Sequence, residues 1–263
     1  MRNILLTISY DGTDFCGWQR QDHDNGEVTR TVQGEIETAL EKIHKQKTTL
    51  YGSGRTDSGV HALGQAANFF SPIDSMPVLN YQRALNAFLP EDIRIMDVKE
   101  ASEAFNARFN ATSRSYRYFI SFGNSCSANQ SRYVWHVKNY TPNLQRLNEL
   151  ASCLRGELDC QSFAASGDQS LSTCRYLDNA YFFMEKDLFG RQLLVFEIEA
   201  NAFLWKMVRT ITGTLINLDK NNASPDAMKK ILEAKDRTQA GVTAPSTGLF
   251  LYKINFDGIR RHV

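Results

Sequence analysis

The residues best suited to chemistry lie in the stretch Gly52-Ser53-Gly54-Arg55-Thr56-Asp57-Ser58-Gly59-Val60-His61. Its glycines let the backbone turn tightly or approach a ligand closely. Their spacing fits neither common phosphate cradle. A P-loop needs Gly-x-x-x-x-Gly-Lys-Ser/Thr, and in a dinucleotide fingerprint the third glycine would have to come two positions earlier. Arg55 and Asp57 are two residues apart, so in an extended chain they project to the same side. A guanidinium beside a carboxylate favours its ionised form, and an ionised, oriented carboxylate can attack carbon. The same pair could instead be a structural salt bridge that pins a turn. His61 could serve as a general base, or be a packed or capping residue. The other histidines (His23, His44, His136, His262) are scattered without metal-ligand spacing, so no metal site is expected.

The elements that position this stretch can be read from periodicity. Ile4 to Tyr10 forms a buried strand pattern ended by the turn signal Asp11-Gly12. Val32, Ile36, Leu40 and Ile43 recur at helical spacing behind an N-cap at Thr31. Strands are predicted near 48–51, 66–70 and 93–98, and a helix over 80–88 that stops at Pro90. Beyond these come a strand over 117–122, a helix over 144–154 and a hairpin of 176–183 with 193–200. An apolar helix over 203–218, an amphipathic helix over 225–234 and a closing strand over 250–256 follow. Strands often succeed each other directly, which argues for an α+β fold with an antiparallel sheet carrying helices on one face. The division expected is a first half over 1–104 and a second over 105–263.

At 263 residues and 42% hydrophobic, the chain can bury a substantial core. It has no apolar run of about eighteen residues that could span a membrane. Met1-Arg2-Asn3-Ile4 leads straight into a strand with no signal-peptide pattern, so a cytoplasmic protein is expected. Five cysteines (Cys16, Cys126, Cys153, Cys160, Cys174) with no Cys-x-x-Cys spacing read as reduced thiols and not as a zinc site. The net charge of +1 says little about nucleic acid, but its distribution says more. Residues 104–148 contain no Asp or Glu, yet include Arg108, Arg114, Arg117, Arg132, Lys138 and Arg146 among many aromatics. Such a run suits a phosphate backbone with stacked bases, and equally a solvated face over a buried aromatic strand. A zinc-dependent base deaminase is excluded, because neither His-x-Glu nor Pro-Cys-x-x-Cys occurs.

Five blocks in order resemble the TruA family of tRNA pseudouridine synthases over nearly the whole chain. They are the N-terminal Tyr10-Asp11-Gly12-Thr13-Asp14-Phe15-Cys16-Gly17-Trp18-Gln19-Arg20-Gln21, the Asp57 stretch, and the segment from Phe105 through Tyr116 to Tyr118. The last two are Asn201-Ala202-Phe203-Leu204-Trp205-Lys206-Met207-Val208-Arg209 and Thr243-Ala244-Pro245-Ser246-Thr247-Gly248-Leu249-Phe250-Leu251. The resemblance implies an enzyme that turns uridine into pseudouridine in the tRNA anticodon stem-loop, at positions 38, 39 and 40, without metal or organic cofactor. It implies a homodimer whose chains have two related α+β halves, a mixed and mainly antiparallel central sheet, and an active-site cleft between the halves. By the same resemblance Asp57 is the nucleophile, attacking C1′ of the ribose or C6 of the uracil. Tyr116 lies against the uracil near C5, and Arg55 holds Asp57 and helps displace the base. Leu249 packs beside Tyr116 and the base, and Arg209 supports the carboxylate or a phosphate. One block departs: Leu158-Asp159-Cys160 stands where the family usually has His-Asp-Phe, which puts local RNA contacts or packing in question. The alternatives are a catalytically silent RNA-binding or tRNA-folding protein, and a synthase acting on another structured RNA.

Overall fold

A computed structural model of the chain describes residues 1–21, 29–259 and 261; His23 and His262 lie outside the described residues. In chain order the elements are β1 (Arg2–Tyr10), α1 (Val32–His44), β2 (Tyr51–Gly52), β3 (His61–Ser71), α2 (Val78–Phe88) and β4 (Ile93–Ala101). Then come β5 (Ser113–Gly123), β6 (Trp135–Lys138), α3 (Leu144–Ala151), β7 (Gly156–Asp159), β8 (Cys174–Lys186), β9 (Gln192–Ala200), α4 (Met207–Lys220), α5 (Ala227–Ala234) and β10 (Leu249–Asn255). The fold is α+β, as expected.

The chain divides into two compact units, Met1–Thr112 with Phe250–Gly258, and Ser113–Leu249 with Ile259–Val263. In the first, β1 pairs antiparallel with both β3 and β4, β2 pairs antiparallel with β3, and Phe250 and Leu251 of β10 run parallel to β3. Ile4, Leu6 and Ile8 alternate along β1 and are fully buried, as a strand with a packed face requires. In α1 the Thr31 hydroxyl accepts the Gly34 N–H, and Val32, Ile36 and Leu40 are fully buried at helical spacing.

The expected division at 104/105 differs from the one observed after Thr112. Two buried asparagines hold the first part of the intervening stretch, and Thr112 donates through its N–H and its hydroxyl to the Asn255 carbonyl at 2.9 and 3.1 Å. Asn3 Nδ2 donates to the carbonyls of Ser102 and Phe105, both at 2.8 Å, and Asn68 Oδ1 accepts the Ala107 N–H at 2.8 Å. These side chains tie residues 105–107 to the first unit, where the Phe105 ring also meets Phe256 at 5.1 Å. The late strand β10 then returns to that unit.

The second unit has a similar plan. β9 pairs antiparallel with β5 and β8, β7 extends the sheet beside β8, and β6 runs parallel to β5. The helix expected over 203–218 begins later, because Lys206 adopts a left-handed φ of 59° that starts α4 at Met207. Phe203 is thereby left outside the helix. From Met207 to Ile216 only Arg209 on α4 is not buried, so this helix is core, as its apolar pattern suggested.

Candidate active site

In the first unit the Asp57 loop is gripped from both sides. Tyr10 Oη and Thr56 Oγ1 share a hydrogen bond at 2.8 Å, and the Trp18 N–H donates to the Thr56 carbonyl at 3.1 Å. The Phe15 carbonyl accepts both the Ser58 hydroxyl at 3.1 Å and the Gly59 N–H at 3.3 Å. The Val60 N–H closes a turn on the Asp57 carbonyl at 3.1 Å, with Gly59 at φ 75° in its third position, where a side chain would be strained. The N-terminal block of the resemblance is therefore the seat of this loop. A Cβ at Gly12 would lie 2.0 Å from the Val60 oxygen, and one at Gly52 would lie 2.4 Å from Trp18 Nε1. Only glycine permits either approach.

Gln65 holds the other side. It is fully buried on β3, and its Oε1 accepts the N–H groups of Gly54 at 3.2 Å and Ala66 at 3.1 Å. Its Nε2 donates to the Gly54 carbonyl at 2.8 Å. The glutamine thus gives Gly54 the two hydrogen bonds that a neighbouring strand would supply, just before Arg55.

Asp57 is half-buried and Arg55 exposed, with Thr56 buried between them. The expected Arg55–Asp57 pair is not formed: among the described residues Arg55 has no hydrogen bond or ion pair. The turn that begins at Asp57 ends the extended geometry on which that expectation rested. His61 is fully buried and stacks on Phe250 at 4.5 Å. Its Nδ1 lies 3.0 Å from the Gly12 N–H, which donates to it, and 3.2 Å from Asp11 Oδ1. This is the packed reading of His61, and not that of a general base.

The remaining candidates belong to the second unit. Tyr116 sits on β5 opposite Ile198, nearly buried, with Phe203 edge-on at 5.1 Å. Arg209 on α4 donates through Nε to the Ala244 carbonyl at 2.8 Å, and the Ala244 N–H returns to the Arg209 carbonyl at 3.1 Å. Residues 241–249 form a strap that also reaches β5, where the Phe119 N–H donates to the Gly248 carbonyl at 2.8 Å. Leu249, at the end of this strap, is 5% exposed. The strap therefore links the elements that bear Tyr116, Arg209 and Leu249. It lies tight on α4, since a Cβ at Gly213 would fall 1.9 Å from the Val242 oxygen. Arg237 clamps its start through the carbonyls of Ala240 and Gly241 and the Thr243 hydroxyl.

Sequence reasoning missed Tyr10, Thr56, Gln65 and Arg237 as supports. Gln65 left one trace, a polar residue beside the apolar run Ala66-Ala67. In the acid-free run, part of the second alternative is seen. Arg117 pairs with Glu197 at 2.7 Å and Arg146 with Asp219 at 3.5 Å, and Tyr118 is fully buried with its hydroxyl on the Pro245 carbonyl. Burial raises the Tyr118 pKa, so the phenol stays a neutral donor. In the departing block, Cys160 is fully buried and burial pushes its thiol up to about 12, so its role is packing. Asp159 beside it is held below the usual carboxylate range, first by the Thr173 hydroxyl and then by Lys235 at 2.9 Å.

A family model described as tRNA pseudouridine synthase matches residues 6–110 and 150–257. The chain belongs to the tRNA pseudouridine synthase family. It is 57% identical over 255 residues to tRNA pseudouridine synthase A of Treponema denticola, covering 97% of this chain and 93% of that one. It is 48% identical over 241 residues to the Treponema pallidum protein of that name, covering 92% and 84%. The Brachyspira hyodysenteriae protein of that name is 41% identical over 256 residues, covering 97% and 99%. The family consists of isomerases that convert uridine to pseudouridine in tRNA. The Asp57 loop and the strap fall within the matched stretches, and Tyr116 falls between them. Among the described residues, no helix is long and apolar enough to cross a membrane, and no cluster of His, Cys, Asp or Glu could hold a metal ion.

Proposed function

We propose that this chain isomerises uridine in the anticodon stem-loop of tRNA, at positions 38, 39 and 40, with Asp57 as nucleophile. The observation that carries the reading is the fixed loop around Asp57. The loop is anchored through the backbone of Gly54, Thr56 and Gly59 and the hydroxyls of Thr56 and Ser58, while the carboxylate residue itself remains half-exposed. A preset carboxylate loses little freedom on approaching substrate, which is what positioning contributes to catalysis.

A carboxylate oxygen of Asp57 bonds to C1′ of the ribose or to C6 of the uracil. On the first route this displaces uracil directly. On the second, the C1′–N1 bond breaks after the adduct forms. The base then turns, C5 bonds to C1′, Asp57 is released, the C5 proton leaves to water, and N1, freed from C1′, takes up a proton from water to complete the ring. Atoms and electrons balance within the substrate, so the reaction calls for no oxidant, reductant or group donor. Tyr116 lies against the uracil with its phenol near C5. Arg55, exposed and without a protein partner among the described residues, occupies the space of the displaced base; extruding a base costs a few kcal/mol and less in a loop. Leu249 packs on the base, and Arg209 supports the Asp57 carboxylate or a substrate phosphate. The active protein is a cytoplasmic homodimer, a compartment in keeping with five free cysteines.

The purified chain should release tritium from tRNA labelled at uridine C5 without added metal. Asp57→Ala should abolish release while keeping the fold and most tRNA affinity. Turnover retained in that variant would sink the nucleophile assignment. Pseudouridine mapping of total RNA with and without the gene tests the target positions: marks lost from another structured RNA, and not from the anticodon arm, would move the substrate. A chain that binds tRNA and releases no tritium would be the silent RNA-binding protein instead.

A further inference from the structure

The second unit carries a cavity of about 630 Å³ whose lining includes none of the catalytic candidates. Asn139, Thr141, Asn143, Arg146, Lys220 and Asn222 provide its polar wall. Beneath them lies Asp219, 3% exposed and already engaged. Its Oδ2 accepts the Tyr140 hydroxyl at 2.5 Å and the Asn143 N–H at 3.1 Å, and its Oδ1 meets Arg146 Nη1 at 3.5 Å. Burial also keeps the Tyr140 phenol protonated, and therefore a donor to this carboxylate.

Arg146 is fixed through a single nitrogen. Nη1 also donates to the Asp219 carbonyl at 3.1 Å and to Asn222 Oδ1 at 2.5 Å. Among the described residues, Nη2 and Nε have no partner, so the guanidinium is oriented while one edge of its fork is left open. Lys220 is exposed and makes no ion pair among the described residues; its ammonium lies 5.9 Å from the Tyr140 ring centroid. Asn139 and Asn222 add neutral carboxamides, each on a left-handed residue. Two cations and one buried carboxylate, its oxygens already occupied, thus line the cavity.

A pre-oriented guanidinium edge matches oxyanions in bidentate fashion, and a lysine adds a mobile point charge. Together with carboxamides around a wide, open space, this suits a tetrahedral group with several oxygens better than a planar carboxylate. We propose that the cavity is a phosphate-binding site apart from the catalytic residues, filled by a phosphodiester of bound RNA or by the phosphate of a free nucleotide. The proposal does not depend on the role assigned to Asp57.

The test uses the full chain with Lys220→Ala and Arg146→Lys, and Lys229→Ala on α5 as an exposed control outside the cavity. tRNA affinity is measured across a salt series, and inorganic phosphate and uridine monophosphate are titrated by calorimetry. For an RNA phosphodiester, Lys220→Ala lowers the slope of log affinity against log salt by about one, and the control leaves it unchanged. For a free nucleotide, the slope stays the same while phosphate and monophosphate binding weaken severalfold in Lys220→Ala. Arg146→Lys keeps the charge but removes the fork, so it should weaken phosphate in either case; its melting temperature reports separately on the bond to Asp219. Parent-like binding of tRNA, phosphate and monophosphate by Lys220→Ala and Arg146→Lys overturns the proposal. So does an equal loss in Lys229→Ala, which would make the effect one of general charge.

Discussion

Thr56 and Gln65 hold the backbone on either side of Arg55, and neither need touch a substrate to matter. Thr56→Val removes the hydroxyl bonded to Tyr10 while keeping the shape, whereas Thr56→Ser retains the hydroxyl. Steady-state kinetics should show kcat reduced about tenfold or more in the valine variant, since small misplacements of a reacting group cost that much or greater, with KM little changed and serine near the parent. Tyr10→Phe removes the other end of the same bond and should follow valine. Gln65→Leu withdraws three hydrogen bonds from a fully buried position. We expect a loss of about 1–3 kcal/mol in denaturant unfolding, the cost of leaving buried polar groups unpaired. Parent-like stability would mean that water replaces the glutamine.

At the scale of elements, the junction of α1 with α2 contains a titratable group. His44 at the end of α1 is buried, with Nδ1 on the Thr48 hydroxyl at 2.7 Å and Nε2 facing Tyr81 Oη at 3.3 Å. Desolvation lowers its pKa from the ordinary value of 6.5. The unfolded chain therefore takes up the proton first as pH falls. The contribution to stability is complete above about pH 6.5 and is lost as pH falls from there through the folded value. Melting temperature should drop between pH 7.5 and 5 in the parent, and less steeply in His44→Gln.

The strap is a second element whose placement is checkable. Gly213→Ala puts a methyl group where the Val242 oxygen lies and should cost about 1–3 kcal/mol as overpacking. Activity should fall further than stability alone explains, because Ala244 of the strap fixes Arg209. Equal losses in both would assign the strap a purely structural role.

Over the whole molecule, cysteine exposure offers a reading of the fold that needs no substrate. Cys16 is exposed, Cys126, Cys153 and Cys174 are intermediate, and Cys160 is buried. A thiol reagent should label Cys16 fastest and Cys160 only on unfolding, since access and thiolate character govern rate; peptide mapping of the labelled chain would show it. The charge pattern also changes at this scale. The run over 104–148 is acid-free along the chain, but acids distant in sequence, Glu197 and Asp219, pair with Arg117 and Arg146 in space.

Much of this protein could be read from its sequence because the signals are local. Apolar spacing disclosed most helices and strands, Thr31 marked a helix start, and the order of five motif blocks disclosed the family. The tertiary structure alone decided what depends on distant partners. It showed that residues 10–18 seat the Asp57 loop, that Gln65 stands in for a strand beside Gly54, and that Asn3 and Asn68 tie residues 105–107 to the first unit while Thr112 bonds to Asn255. It also separated Arg55 from the ion pair that two-residue spacing suggested. Periodicity records which face of an element is buried, whereas a hydrogen bond between residues 10 and 56 exists only once the chain has brought them together.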